Sequence, residues 1–297
     1  MLSLEWEGWR AAVKIVEHSS QNEQAHPDWN DVEKSIWKNA EPYIDDSLPD
    51  LQREIPELRG LISNPTHEPL PVLLAGIGKK CVDLLERTPN VIADEKITTQ
   101  FSNGATRAEK FGYLVVVNRT SNGGTLKEYR TDKHGLPVSN AAASGEGFAS
   151  MWVHLFPANQ DESRFRYLGE QQIESHKAIV IAFAQIPDKV RFPADFHLPA
   201  RHISVLYQGL AWVDAKDLRI ICMREDLLRP RPDVNLTDFT AVVRFGPVIV
   251  KKAAASLWLP QEADLNWTLD RETGREKYRY SRYRLYAVKT KIVPLSP

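Results

Sequence analysis

The chain has 297 residues, 42% hydrophobic and 26% charged, and its 38 basic and 39 acidic side chains leave a formal charge of -1. Those values exclude a disordered or fibrous chain and leave no global field to attract nucleic acid or an anionic membrane, so any such contact has to be local. The cysteines, Cys81 and Cys222, lie far apart, offer neither a redox pair nor a metal knuckle, and are expected as buried free thiols.

The chain begins with helical patterning. Leu4, Trp9, Ala12, Val13 and Val16 recur at spacings that predict an amphipathic helix, with Glu5, Lys14 and Glu17 off its apolar face. Asp28 is positioned to cap a second helix through Val32, Ile36 and Trp37 that frays near Pro42. A third segment runs from about Leu48 to Leu61, limited by Pro49 and Pro56. Pro71 then opens a helix whose stripe of Val72, Leu73, Leu74, Ile77, Cys81, Leu84 and Leu85 is wide enough to dock on a sheet. Met1 to Arg10 carry no secretory-signal pattern, which predicts a cytoplasmic chain if that start is genuine. Nor is any apolar run long enough for a membrane span.

From Val91 the period falls to two. Ile92 to Ser102, Arg107 to Arg119 and Thr125 to Thr131 read as strands, punctuated by Asn103-Gly104 and Asn122-Gly123-Gly124. Ala141 to Phe156 interrupts them as a loop leading into one short apolar helix that carries Met151, Trp152, Leu155 and Phe156. Strands resume at Arg164 to Ile173 and Ala178 to Ile186. In the latter, Ile179, Ile181 and Phe183 face one side and the smaller Val180, Ala182 and Ala184 the other, which predicts cover on both faces. A Pro-rich insertion, Pro187 to Ala200, precedes strands at Ile203 to Asp214, Leu218 to Asp226, Leu236 to Phe245, Val248 to Leu259, Ala263 to Leu269 and Lys277 to Lys289. Arg229 to Pro232 is expected as an open corner.

Chemistry-bearing patterns are sparse. His197 and His202 flank a Pro-marked loop that offers neither the helical nor the strand spacing a ligand pair needs, so no metal is expected. There is no G-x-S-x-G, and Ser144-Gly145-Glu146-Gly147 lacks a strand-to-helix context. Gly76-Ile77-Gly78-Lys79-Lys80 lies inside a helical stripe and lacks phosphate-loop spacing. Asp45, Asp46, Glu54 and Glu57 read as solvated helix surface. Lys277 to Arg284 interleaves tyrosines with basic residues as a half-buried terminal strand would, which outweighs a nucleic-acid reading. No catalytic set and no cofactor follow from these residues.

Phe165-Arg166-Tyr167-Leu168-Gly169-Glu170, Ile179 to Phe183, Gly209-Leu210-Ala211-Trp212-Val213-Asp214 and Trp258-Leu259-Pro260, taken in order, resemble the bacterial LolA/LolB-like half-barrel superfamily. A nearer resemblance, over about Leu48 to Lys289, is to uncharacterised bacterial proteins of that type in which Pro56 to Leu61 precedes the strands and Tyr278 to Tyr286 closes them. The resemblance implies an α+β fold: a large curled antiparallel sheet around a short helix, residues 89–297, after a helical region, residues 1–88. It also implies a non-enzymatic binding protein of the periplasm or cell envelope that accommodates an acyl chain or other apolar ligand.

Met151, Trp152, Phe183, Trp212, Phe245 and Trp258 are the residues expected to line such a cavity, given that half-barrels are open on one side. The rival expectation is an interaction module whose half-barrel is plugged by its own helix and whose N-terminal helices meet a protein partner.

Overall fold

The computed structural model describes residues 4–6, 9–11, 29, 31–63, 68–120, 123–138, 147–191, 193–198, 201–251, 253 and 256–286. Its strands are β1 Leu4–Trp6, β2 Trp9–Ala11, β3 Val91–Phe101, β4 Thr106–Thr120, β5 Gly123–Thr131, β6 Ser163–Ile173 and β7 His176–Gln185. They continue as β8 Ala194–Leu198, β9 Arg201–Val205, β10 Tyr207–Asp214, β11 Ile220–Leu227, β12 Leu236–Val248, β13 Leu257–Leu269 and β14 Glu272–Leu285. The α-helices are α1 Asp31–Ile36, α2 Leu48–Glu54 and α3 Leu70–Arg87, and 3-10 turns run over Met151–Leu155 and Pro157–Glu162.

Ten strands form one antiparallel sheet in the order β5-β4-β3-β14-β13-β12-β11-β10-β7-β6, open between β5 and β6. It is a half-barrel. The strand-after-strand order from β10 to β14 reflects short turns, whereas the earlier block β3 to β5 is added beside β14, the last strand in the chain. β14 is therefore central. Its Tyr278 and Tyr280 are buried while Lys277 on the other face pairs with Asp264, as alternation requires.

Register partners share a face, so the two sides of the sheet can be followed across it. Phe183, Gly209, Glu225, Ala241 and Leu265 lie in one row and Ala182, Leu210, Arg224 and Val242 in the other. The first row is the inner face, covered by α3 and residues 148–162. His154 stacks on Phe183 with ring centroids 4.7 Å apart, and Arg119 of β4 donates to the carbonyls of Leu85, Glu86 and Thr88, capping the C-terminus of α3. Gly78 of α3 is a packing glycine: a Cβ there would lie 2.8 Å from Gln160 Nε2 and 2.9 Å from Pro157.

Residues 43–59 cover the second row. Tyr43 donates its amide to Gln208 and its hydroxyl to Asp226, Arg224 bridges Asp226 and Glu57, and Arg166 donates to the carbonyls of Ile44 and Asp46. Both rows of β7 are consequently buried. The helical region and the sheet share one hydrophobic core that includes Trp37, Leu51, Leu58, Ile77, Ile181 and Val243. Among the described residues no helix is long and apolar enough to cross a membrane.

Several sequence expectations are corrected. Leu4–Trp6 and Trp9–Ala11 are paired antiparallel strands and not helix, with Trp6 opposite Trp9; the later part of that stripe and Asp28 lie outside the described residues. Pro187 to Ala200 is not simply a loop, because Ala194–Leu198 is β8, which pairs with β9 and sets His197 opposite His202 in the backbone register. The segments 236–245, 248–259 and 263–269 are two strands and not three: a register shift between Arg244 and Phe245 lets β12 continue past Pro247 and places Pro260 opposite the shift. Glu57 is no solvated carboxylate, since it pairs with Arg224 at 2.7 Å. The corner at Arg229 to Pro232 is closed: Arg231, 1% exposed, pairs with Asp233, stacks over Trp37 at 5.5 Å and donates to Ser204 O.

At the β6 edge, Ile62 and Glu170 exchange backbone hydrogen bonds of 2.8 and 2.9 Å, which covers part of the free strand. Gly169 makes this approach possible. Its φ is +145°, and any Cβ would collide with the Ile62 carbonyl oxygen. Gly169→Ala is expected to cost about 1–3 kcal/mol and to raise hydrogen exchange at the Ile62 and Glu170 amides. Unchanged exchange and stability would show that the edge does not need the glycine.

Candidate functional site

A cavity of about 310 Å³ opens between the C-terminal half of α3, the β10–β11 turn and the ends of β11 to β13. Its apolar wall is Cys81 and Leu84 from α3, Trp152, Leu218, Ile220, Phe245, Leu257 and Trp258. Lys80, Asp83, Arg87, Asp217 and Arg219 supply its charges. Local rules place each group. Cys81 and Leu84 are on the predicted stripe of α3, and Trp258 is fixed by donating its indole N–H to Ile220 O at 2.7 Å. Arg219 lies over the Trp258 ring at 4.4 Å and bonds Asp217, so that pair is internally neutralised.

Of the residues expected to line a cavity, Trp152, Phe245 and Trp258 are brought together here. Met151, Phe183 and Trp212 are not among its lining residues. Phe183 is buried on the inner face beneath His154, and Met151 is buried in the 3-10 turn. Trp212 lies on the opposite face, aligned with Val180 and Cys222, and donates to Gln171 Oε1 at 2.8 Å, whose amide in turn holds the carbonyls of Glu57 and Arg59. Strand parity decides this. An odd number of residues separates faces, so Trp212 and Ala211 cannot both look inward. Ala182 and Ala184 share the second face with Trp212 and are buried there.

Lys80, Asp83 and Arg87 were not singled out by the sequence, where Lys80 stood out only as part of Gly76 to Lys80 inside the helical stripe. The signal available was their helical spacing beside Cys81 and Leu84. Burial pushes the Cys81 thiol up to about 12, so it is an inert wall group and not a nucleophile. Both cysteines are free and buried.

The rest of the inner face is unexpectedly polar. Arg130 and Glu95, with side chains 2% and 0% exposed, form a two-point ion pair of 2.5 and 3.1 Å. Beside it, Glu128 accepts from Tyr113 Oη, from the amides of Ala149 and Ser150 and from Ser150 Oγ. Phe148 meets Tyr278 edge-on at 4.9 Å. The segment from Gly147 to Ser150 is thus strapped across β4 and β5, and a side chain at Gly147 would collide with the Glu128 carboxylate. Burial, with Glu128 beside it, drives the Tyr113 hydroxyl well above its ordinary range, so it stays a hydrogen-bond donor.

No group of three or more His, Cys, Asp or Glu suited to a metal occurs among the described residues. His154 and Glu225 form a buried pair at 3.1 Å with no entry from the cavity described. His176 and Asp214, 2.5 Å apart, brace the β10–β11 turn, where Asp214 also accepts from the Lys216 and Asp217 amides. Burial alone would raise the Asp214 carboxyl, but the bonds from His176 and those amides hold it below its usual range.

The fold and site together define an open antiparallel half-barrel, filled along much of its inner face by its own helix and strap, with a lateral cavity at one end. No family model matches the sequence, and no curated protein matches it. Among solved structures it is similar to a DUF1329 family protein from Desulfovibrio piger, at 12% identity over 73% of this chain and 93% of that one, with a TM-score of 0.39. It is also similar to a LolA superfamily protein from Nitrosomonas europaea, at 11% identity over 73% and 94% of the two chains, with a TM-score of 0.38. An outer membrane lipoprotein-sorting protein domain from Vibrio parahaemolyticus has 11% identity over 71% and 90%, with a TM-score of 0.39.

Proposed function

We propose that this protein is a non-enzymatic binding protein that takes an apolar chain into the cavity between α3 and the β11 to β13 strand ends. The observation that carries this is the cavity itself: about 310 Å³ walled by Trp152, Phe245, Leu257, Trp258 and Leu84. That volume is at the lower end of the range for ligand sites, roughly 300–1,000 Å³, and suits one slender chain better than a branched or multi-chain lipid. Transfer of apolar surface from water drives binding at roughly 25 cal/mol per Å², and the wall needs no reacting group to do this. A place in the cell envelope belongs to the same reading.

The test is native mass spectrometry of the freshly purified full chain, then organic extraction of any adduct, repeated after addition of dodecanol. A one-to-one adduct that is lost on denaturation is the expected result. A bare mass before and after addition would favour the self-plugged interaction module instead. That second reading draws on the Gly147 to Ser150 strap, which Glu128 holds over part of the inner face.

A further inference from the structure

The charges on the α3 side of the cavity say which end of a bound chain lies there. Lys80 and Arg87 are seven residues apart, two helical turns, so both stand on the cavity side of α3 about 10 Å from each other. Among the described residues neither has a carboxylate within 4 Å. Asp217 and Arg219 are unlike them, because Asp217 is already bonded to Arg219, which in turn covers the face of Trp258. With that pair self-neutralised, the open charges are Lys80, Arg87 and Asp83, a net excess of one positive charge beside an otherwise apolar wall. The Trp258 face, the natural seat for a quaternary ammonium group, is taken by Arg219.

We infer that the cavity selects single-chain anionic amphiphiles, with a carboxylate or phosphate head between Lys80 and Arg87 and the tail against Trp152, Phe245 and Leu257. This rests on the apolar-chain reading above and adds the head chemistry to it. Lys80 and Arg87 supply long, mobile stems that can converge on one anion, and each partly exposed ion pair contributes a few-fold in affinity, so about tenfold is expected from both. Asp83 opposes the anion from the same wall.

Isothermal titration of the full chain with dodecanoate, dodecanol and dodecyltrimethylammonium separates head from tail. Dodecanoate is expected to bind about tenfold more tightly than dodecanol, with the gap shrinking at high salt. In Lys80→Gln/Arg87→Gln the gap between dodecanoate and dodecanol closes, and in Asp83→Asn it widens. A gap absent in the native chain, one that survives the double substitution, or tighter binding of the ammonium compound would overturn the head assignment while leaving the chain-binding reading intact. If none of the compounds binds, both fall together. Decyl phosphate in place of dodecanoate distinguishes a phosphate head from a carboxylate by which of the two gains more from the cationic pair.

Discussion

Arg130→Met is expected to destabilise the protein by about 3–5 kcal/mol, with the melting midpoint falling on the order of 10 °C. Arg130 reaches across from β5 to Glu95 on β3, and the Glu95 side chain is 0% exposed. Removing the guanidinium leaves that carboxylate buried without its partner, and the cost is that of an uncompensated buried charge. Arg130 also lies 5.4 Å from the Tyr278 ring, so its loss opens space against β14. The double variant Glu95→Leu/Arg130→Met should recover most of the loss, because an apolar pair of similar volume needs no desolvation. Chemical denaturation of the three chains gives the comparison. If the single substitution costs less than about 1 kcal/mol, the ion pair is not what holds β3 and β5 across the inner face.

The largest effect on binding is expected from Leu84→Trp. Leu84 lies on α3 and forms part of the cavity wall, half-buried and next to Thr88, whose hydroxyl donates to the Leu84 carbonyl. An indole there would fill a substantial share of about 310 Å³ that is otherwise available to a chain. Dodecanol and dodecanoate binding should both fall by at least about tenfold, equivalent to about 1.4 kcal/mol. Stability should change by no more than about 1–3 kcal/mol, the usual range for overfilling a packed site, so loss of binding can be told from loss of fold by a thermal melt. Undiminished binding in a folded Leu84→Trp protein would put the ligand somewhere other than this cavity.

Both experiments exploit residues whose importance depends on segments distant in the chain. Arg130 and Glu95 are separated by 35 positions, and the alternation along β3 puts Glu95 on the buried side without saying what meets it. Arg231 is similar. Its neighbours Pro230 and Pro232 read as an open corner, yet Glu33 and Trp37 from one distant segment and Ser204 from another meet it and bury it.

Local sequence determined much of the architecture. Period-two alternation marked most of the strands of the large sheet, the stripe ending in Leu84 and Leu85 marked α3, and Tyr278 and Tyr280 identified the buried side of the last strand. These features depend on neighbours within a few residues, where backbone geometry fixes which side chains share a face. Alternation also meant that Trp212 and Phe183 could not be assigned to one cavity from hydrophobicity alone, because their facing depends on register between β7 and β10. Tertiary structure decided what the pattern left open: that β3 adds beside β14, that residues 43–59 cover Trp212, and that Lys80 and Arg87 share a wall with Trp258. Such pairings join segments far apart in the chain, and their free energy comes from surfaces that exist only once the sheet has curled.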